Sequence, residues 1–251
     1  VQNDAVPQAY LGTSGWAYAS WKPAFYPATL PAKRFLEHYA THLNSVEVNY
    51  TFRALPTTKQ LEGWLAAVPA DFRFSFKAPQ RITHFQRLRD SQATVAEFIA
   101  ALAPVRAAQK LGPLLFQLPP NFAADNDRLA AFLGHLRSTE SAVALQFAFE
   151  FRHDSWLSDV TYDVLRAHNT ALCIADDEER TMPDVVTADF RCYRLRRPGG
   201  YPPAERTRLA AAFQHAATTT PVYAYLRHEE DPTGPLQAAE MLAAVRLGGA
   251  R

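Results

Sequence analysis

Apolar and polar positions along the chain alternate between two periods. Eight short runs read at period two, as half-buried or buried strands: Ala9–Trp16, Ser45–Phe52, Phe72–Ala78, Gly112–Leu118, Leu145–Arg152, Ala171–Asp176, Phe190–Arg196 and Pro221–Arg227. Between them lie stretches whose apolar residues recur every three or four positions. Phe35, Leu36, Tyr39 and Leu43 share one helical face, as do Leu61, Trp64, Leu65 and Val68, and Val95, Phe98, Ile99 and Leu102. The set continues with Leu129, Phe132, Leu133 and Leu136, with Val160, Val164 and Leu165, with Leu209, Phe213 and Ala216, and with Met241, Leu242 and Val245. Gly112 reads as a helix stop, and Asp125 or Asn126 as a helix start. One helix is short or missing: after Asp176 the chain runs DDEERTMPDVVTAD, polar and broken by Pro183. Alternating strands and helices predict parallel strands with helical crossovers, and eight such units predict a TIM-like (β/α)8 barrel. An open doubly wound sheet is disfavoured because GTSGW lacks the glycine spacing of a dinucleotide fingerprint.

A length of 251 residues suits one such barrel, and no linker or low-complexity segment divides it. The expected organisation is a single domain over residues 1–251, with 1–8 an irregular N-terminal extension. A hydrophobic share of 48% excludes a disordered chain, and a net charge of +1 gives no general case for nucleic acid or acidic membranes. The opening VQNDAVPQAY carries no targeting pattern and no apolar run reaches membrane length, so a cytoplasmic protein without membrane contact is expected. Cys173 and Cys192 sit in apolar runs and read as small buried hydrophobes.

The segments GTSGWAYASWK, FYPATLP, NSVEVNYTF, DFRFSFKAP, ITHFQRL, LGPLLFQLPPNF and FEFRHDSW arrive in an order that resembles the domain-of-unknown-function family 72, the YecE-like proteins. The resemblance runs from Leu11 to Asp176 and more weakly to the end. It implies a TIM-type barrel and carries no assigned activity or catalytic residues. Two places depart from the family's pattern. Arg194-Leu195-Arg196-Arg197 stands where Arg-Leu-His-Gly is usual, and Leu226-Arg227-His228 where Phe-Asn-Asn is usual, so both strand ends gain cationic character.

In such barrels, side chains near the carboxyl ends of strands build the active site. The stretch LQFAFEFRHDSW places Phe147, Phe149 and Phe151 on one face and Ala148, Glu150 and Arg152 on the other. Applied to every strand, the same parity sends Glu47, Asn49, Thr51, Arg73, Ser75, Lys77, Leu115, Gln117, Arg194 and Arg196 inward, with Asp176 ending the sixth strand. Tyr50 is expected outward with Val46 and Val48. Glu47, Glu150, Lys77 and His84 are the catalytic candidates, because carboxylates, an amine and a mouth-loop imidazole can move protons. Asn49, Gln117, Arg152, His153, Asp176, Arg194 and Trp16 are the substrate-binding candidates. The competing reading is a structural ion-pair layer, Glu150 with Lys77 and Glu47 with Arg73 or Arg152. Trp16, Trp21 and Trp156 read either as a stacking wall or as a hydrophobic lid. His38, His42, His135, His168 and His215 fall on helix patterns and read as surface or packing residues.

Three functions compete. The first is an enzyme, a hydrolase, lyase or isomerase, using acid-base chemistry on a small polar or anionic substrate, phosphorylated or sugar-like. The second is a nucleic-acid-binding or endonuclease-like barrel, with Arg196, Arg197, Arg206, Arg208 and Arg227 contacting the backbone. The third is a non-catalytic ligand-binding protein. Only Glu47, His84, Glu150, His153 and Asp176 are placed to hold a metal, and no HxH or HExxH spacing supports one, so no metal or nucleotide cofactor is assigned. Oligomeric state is left open.

Overall fold

A computed structural model of the chain describes residues 9–138, 144–177 and 183–248. All eight predicted strands are present: β1 (Ala9–Thr13), β2 (Ser45–Val48), β3 (Arg73–Lys77), β4 (Leu111–Gln117), β5 (Phe147–Glu150), β6 (Ala171–Asp176), β7 (Arg191–Leu195) and β8 (Val222–Leu226). They form one eight-stranded sheet in the order β1-β8-β7-β6-β5-β4-β3-β2, and every paired neighbour runs parallel. The helices are α1 (Phe35–His42), α2 (Thr58–Ala66), α3 (Gln92–Ala101), α4 (Ala103–Ala107), α5 (Asn126–Ser138), α6 (Asp159–Ala167), α7 (Pro203–Ala217) and α8 (Thr233–Gly248). The result is a nearly closed TIM-type barrel. After β6 there is no helix among the described residues before β7, and the expected irregular segment 1–8 lies outside them.

The wall between sheet and helices is largely aromatic. Phe74, Phe76, Phe116, Phe147 and Phe149 point outward and are buried. Phe116 stacks on Phe149 at 5.1 Å, and Phe132 of α5 meets Phe116 edge-on at 5.4 Å. Each such ring removed from water contributes about 1.5–3 kcal/mol. Local signals set the helix starts: Thr57 and Gln60 form a reciprocal capping box on α2, and the Asp125 carboxylate accepts the Arg128 amide at the head of α5.

Three local expectations change. On α6 the buried face is Thr161, Tyr162 and Leu165, and Val160 is 62% exposed because the Ser158 cap starts the helix one residue before it. Gly112 is no helix stop. Gln109 takes the left-handed φ of 56° after α4, whereas Gly112 lies inside β4, where a Cβ would stand 2.8 Å from the Ser75 hydroxyl oxygen. The register explains this: Phe74 pairs with Leu111 but Phe76 with Leu114, so β4 carries one extra residue. Tyr50, finally, is half exposed, because β2 ends at Val48 and the chain turns through Tyr50–Phe52.

The barrel closes between β1 and β2 through side chains. Asn44 accepts the Leu11 amide at 2.9 Å and donates to the Ala9 carbonyl at 2.8 Å, imitating a missing strand residue. The buried Tyr39 hydroxyl accepts the Thr13 amide at 2.8 Å and donates to the Ser45 carbonyl at 2.9 Å. Gly12 is required there, since a Cβ would lie 1.9 Å from the Ser45 carbonyl oxygen.

Candidate functional site

The lumen is layered. At its amino end Tyr10 stacks on Tyr223 at 4.8 Å, with the Arg73 guanidinium 5.4 Å from the Tyr10 ring. Above them the Tyr225 hydroxyl lies 2.8 Å from the Ser45 hydroxyl and 2.5 Å from that of Ser75. Cys173 and Cys192 are adjacent partners on β6 and β7, both buried and reduced, with sulfurs 3.7 Å apart. These side chains fill the lower lumen; a cavity of about 330 Å³ at the amino ends of β4–β7 is lined by Gly112, Gln146, Asn169 and Phe190, among others.

At the carboxyl end the charged residues of β2, β5 and β7 converge on Arg194. Its Nε donates to Glu47 Oε2 at 2.9 Å and its Nη2 to Glu47 Oε1 at 2.8 Å, while Nη1 donates to Glu150 Oε2. Arg152 Nε and Gln117 Nε2 donate to the other Glu150 oxygen, the latter at 3.1 Å. Arg196 donates to Glu47 Oε1 at 3.1 Å and to the Ser14 hydroxyl at 2.7 Å. Asn49 Nδ2 adds a bond to Glu47 Oε1 at 3.2 Å, which leaves Asn49 Oδ1 buried with no partner among the described residues. Both carboxylates are sealed, 1% exposed for Glu47 and 0% for Glu150. Burial would push the Glu150 carboxyl up, but the Arg194 and Arg152 guanidiniums outweigh it and hold the group below the usual range.

This corrects the expectation that Glu47 and Glu150 present themselves at the mouth as free acid-base groups. The ion-pair layer exists, but its partners are Arg194, Arg152 and Arg196. Arg73 lies at the far end, donating to the Ala70 and Phe72 carbonyls. The Lys77 ammonium forms no hydrogen bond or ion pair among the described residues; its nitrogen sits 4.1 Å from the centre of the Phe52 ring. Burial first, then the neighbouring Arg194 charge, lowers its pKa from 10.5 to about 8. Thr51, expected to face the lumen, instead donates to the Lys77 carbonyl at 2.6 Å and ties the β2 turn to the end of β3.

Two adjoining cavities open above this layer. One, of about 630 Å³, is lined by Asn49, Tyr50, Phe52, Arg53, Lys77, Gln117, Arg152, Asp177, Arg194, Arg196, Arg227 and His228. The other, of about 620 Å³, is lined by His84, Gln117, Leu118, Pro119, Pro120, Arg152, His153 and Asp154. Gln117 and Arg152 belong to both and form the partition. His84 is carried by a single π turn, Arg81–Phe85. Its Nδ1 is 2.9 Å from the Thr83 hydroxyl, and its ring meets Phe52 edge-on at 5.0 Å. Burial, Lys77 and Arg87 lower its pKa, favouring the neutral imidazole.

Of the sequence candidates, Asn49, Lys77, His84, Gln117, Arg152, His153 and Arg194 line this paired opening. Asp176 and Trp16 line neither cavity. Asp176 pairs with Arg197 at 3.1 Å, and Trp16 packs edge-on to Trp64. Trp21 and Trp156 are wholly buried, their indole N–H groups donating to the Glu229 and Phe122 carbonyls, so neither offers a stacking face. Parity missed Phe52, Arg53 and Asp177, which lie beyond the ends of β2 and β6 where strand alternation stops. The arginines considered for nucleic-acid contact are mostly committed elsewhere: Arg206 to Glu240, Arg208 to Glu205, and Arg197 to Asp176 and Glu205.

No described helix is long and apolar enough to cross a membrane, and no cluster of three or more His, Cys, Asp or Glu suited to a metal occurs among the described residues. The same barrel occurs in known proteins. A crystal structure of a DUF72 family protein from Thermotoga maritima has a TM-score of 0.80 at 24% identity, covering 94% of this chain and 98% of that one. A sugar phosphate isomerase/epimerase from Parabacteroides distasonis shares the fold at a TM-score of 0.55 and 10% identity, covering 100% and 98%. The UPF0759 protein YunF of Bacillus subtilis is 30% identical over 191 residues, 71% of this chain and 65% of its own length, so the match spans just under two thirds of that relative. With the family model for the protein of unknown function DUF72 matching residues 10–251, the chain belongs to the DUF72 family.

Proposed function

We propose that the mouth is the active site of an enzyme that acts by acid-base chemistry on a small anionic substrate, phosphorylated and of sugar size. One observation carries this reading: Lys77, Arg152, Arg194, Arg196, Arg53 and Arg227 line a single cavity against one lining carboxylate, Asp177, while Glu47 and Glu150 are sealed beneath it. Arg152 and Arg196, held by Glu150 and Glu47, and Arg53 and Arg227 on the cavity wall are the guanidiniums that would meet phosphate or carboxylate oxygens, while Arg194 anchors the layer beneath them. Lys77 and His84, both shifted toward their neutral forms, are the proton carriers. Gln117, Arg152 and His153 hold the uncharged part of the substrate across the partition. The Parabacteroides protein is named for a phosphorylated sugar, which agrees with this chemistry at the level of fold alone.

Calorimetric titration with inorganic phosphate, glucose 6-phosphate and glucose tests the reading. The two phosphates are expected to bind, more weakly as salt rises, and glucose alone is not. Arg227→Met, which removes a cavity cation without unpairing a buried carboxylate, is expected to weaken phosphate binding about tenfold. Equal affinity for glucose and its phosphate, or no phosphate binding at low salt, overturns it.

A further inference from the structure

We infer that Lys77 is a covalent amine catalyst, forming an imine with a carbonyl substrate that carries a phosphate or carboxylate. The inference rests on the anion-binding reading of the same cavity and adds a reaction to it. The chain has five lysines against twenty-one arginines. Arginine holds anions as well or better, but it does not lose its proton; a lysine does, and only then becomes a nucleophile. Lys77 is the one lysine lining the mouth. Lys110 is spent on the Val68 and Pro69 carbonyls near the opposite end of the barrel, and Lys22 lies 5.4 Å from the Phe35 ring centre.

The surroundings of Lys77 are arranged to keep its amine reactive. Arg194, Arg152 and Arg196 occupy Glu47 and Glu150, so the carboxylates that would have held an ammonium in place are already taken. Phe52 covers one side of the nitrogen. The cavity beside it carries the guanidiniums that would seat the substrate's anionic end. His84 touches the edge of the shared Phe52 wall, with Nδ1 engaged by Thr83 and Nε2 left as the exchanging nitrogen. In the step itself, Nζ bonds to the carbonyl carbon, and its two protons leave with the carbonyl oxygen as water. Protonation of the imine nitrogen then makes an electron sink for loss of a proton or a carbon fragment from the neighbouring carbon.

The test uses pyridoxal 5′-phosphate, an aldehyde bearing a phosphate, at equimolar concentration, followed by borohydride reduction and peptide mass mapping. A single adduct at Lys77 is expected. Its rate should rise with pH through a midpoint near the lowered value of about 8, and inorganic phosphate should suppress it. Pyridoxal without the phosphate should label Lys77 at least about tenfold more slowly. Lys59→Arg should leave the adduct unchanged, and Lys77→Met, with its circular dichroism unaltered, should abolish it. Label spread over Lys22, Lys33 and Lys59, or its absence from Lys77, overturns the inference. Phosphate binding measured by calorimetry in the same preparation separates the outcomes: binding without Lys77 labelling removes the amine chemistry alone, and no binding removes both.

Discussion

Arg194 donates from three nitrogens to two carboxylates on different strands, at a depth where only 4% of the residue meets solvent. Removing it takes from both buried carboxylates their shared guanidinium, leaving only Arg196 beside Glu47 and only Arg152 beside Glu150. Arg194→Met is therefore expected to lower unfolding free energy by about 3–5 kcal/mol. The triple variant Glu47→Gln, Glu150→Gln, Arg194→Met should recover part of that loss, as read by urea denaturation, because it removes the buried negative charges but also takes the carboxylate partners from Arg152 and Arg196. Equal instability of the two variants would show that packing, not charge pairing, sets the value of the site. Lysine at position 194 is not an equivalent, because a point charge cannot span both partners as a planar fork does.

At the scale of elements, the seam between β1 and β2 is the place where a backbone ladder is replaced by Asn44 and Tyr39. Tyr39→Phe leaves the Thr13 amide and the Ser45 carbonyl without that partner, at a cost of about 1–3 kcal/mol for each group left unsatisfied. The expected signature is local: faster hydrogen exchange at the Leu11 and Thr13 amides, with the β6–β7 ladder unchanged. Gly12→Ala forces the two strands apart and should open the same seam more severely. Uniform loss of protection around the barrel would show that the seam is not an independent unit. Thr13, which Tyr39 holds, directly precedes Ser14, so opening the seam also loosens the hydroxyl that Arg196 uses as a support.

For the whole molecule, two groups at the mouth give stability an asymmetric response to pH. Glu150 has a folded pKa below its ordinary 4.5, so its stabilisation is complete above that value and is lost as pH falls beneath it. Lys77 works in the other direction. Its folded pKa is about 8 against an ordinary 10.5, so between those values the unfolded chain holds a proton that the folded one lacks, and stability rises with pH. Below about 8 the full penalty applies, at most about 3 kcal/mol. Lys77→Met should therefore stabilise the protein at pH 7, much less so above pH 10, and flatten the alkaline rise in a denaturation series. A variant no more stable than the parent at pH 7 would show that Lys77 is not held in a desolvating site. Sequence by itself determined the eight strands, most helix faces and the barrel, because period and side-chain volume are local properties. It also brought Lys77, Gln117, Glu150, Arg152 and Arg194 to one end, since strand parity needs no partner to be read. Only the tertiary structure decided who pairs with whom. Glu150 met Arg194 instead of Lys77 because ion pairing depends on which strands face each other across the lumen and how far each side chain reaches. The extra residue in β4, the turn that brings Phe52 over Lys77, and the sealing of both carboxylates have the same origin: each is set by contacts between segments far apart in the chain.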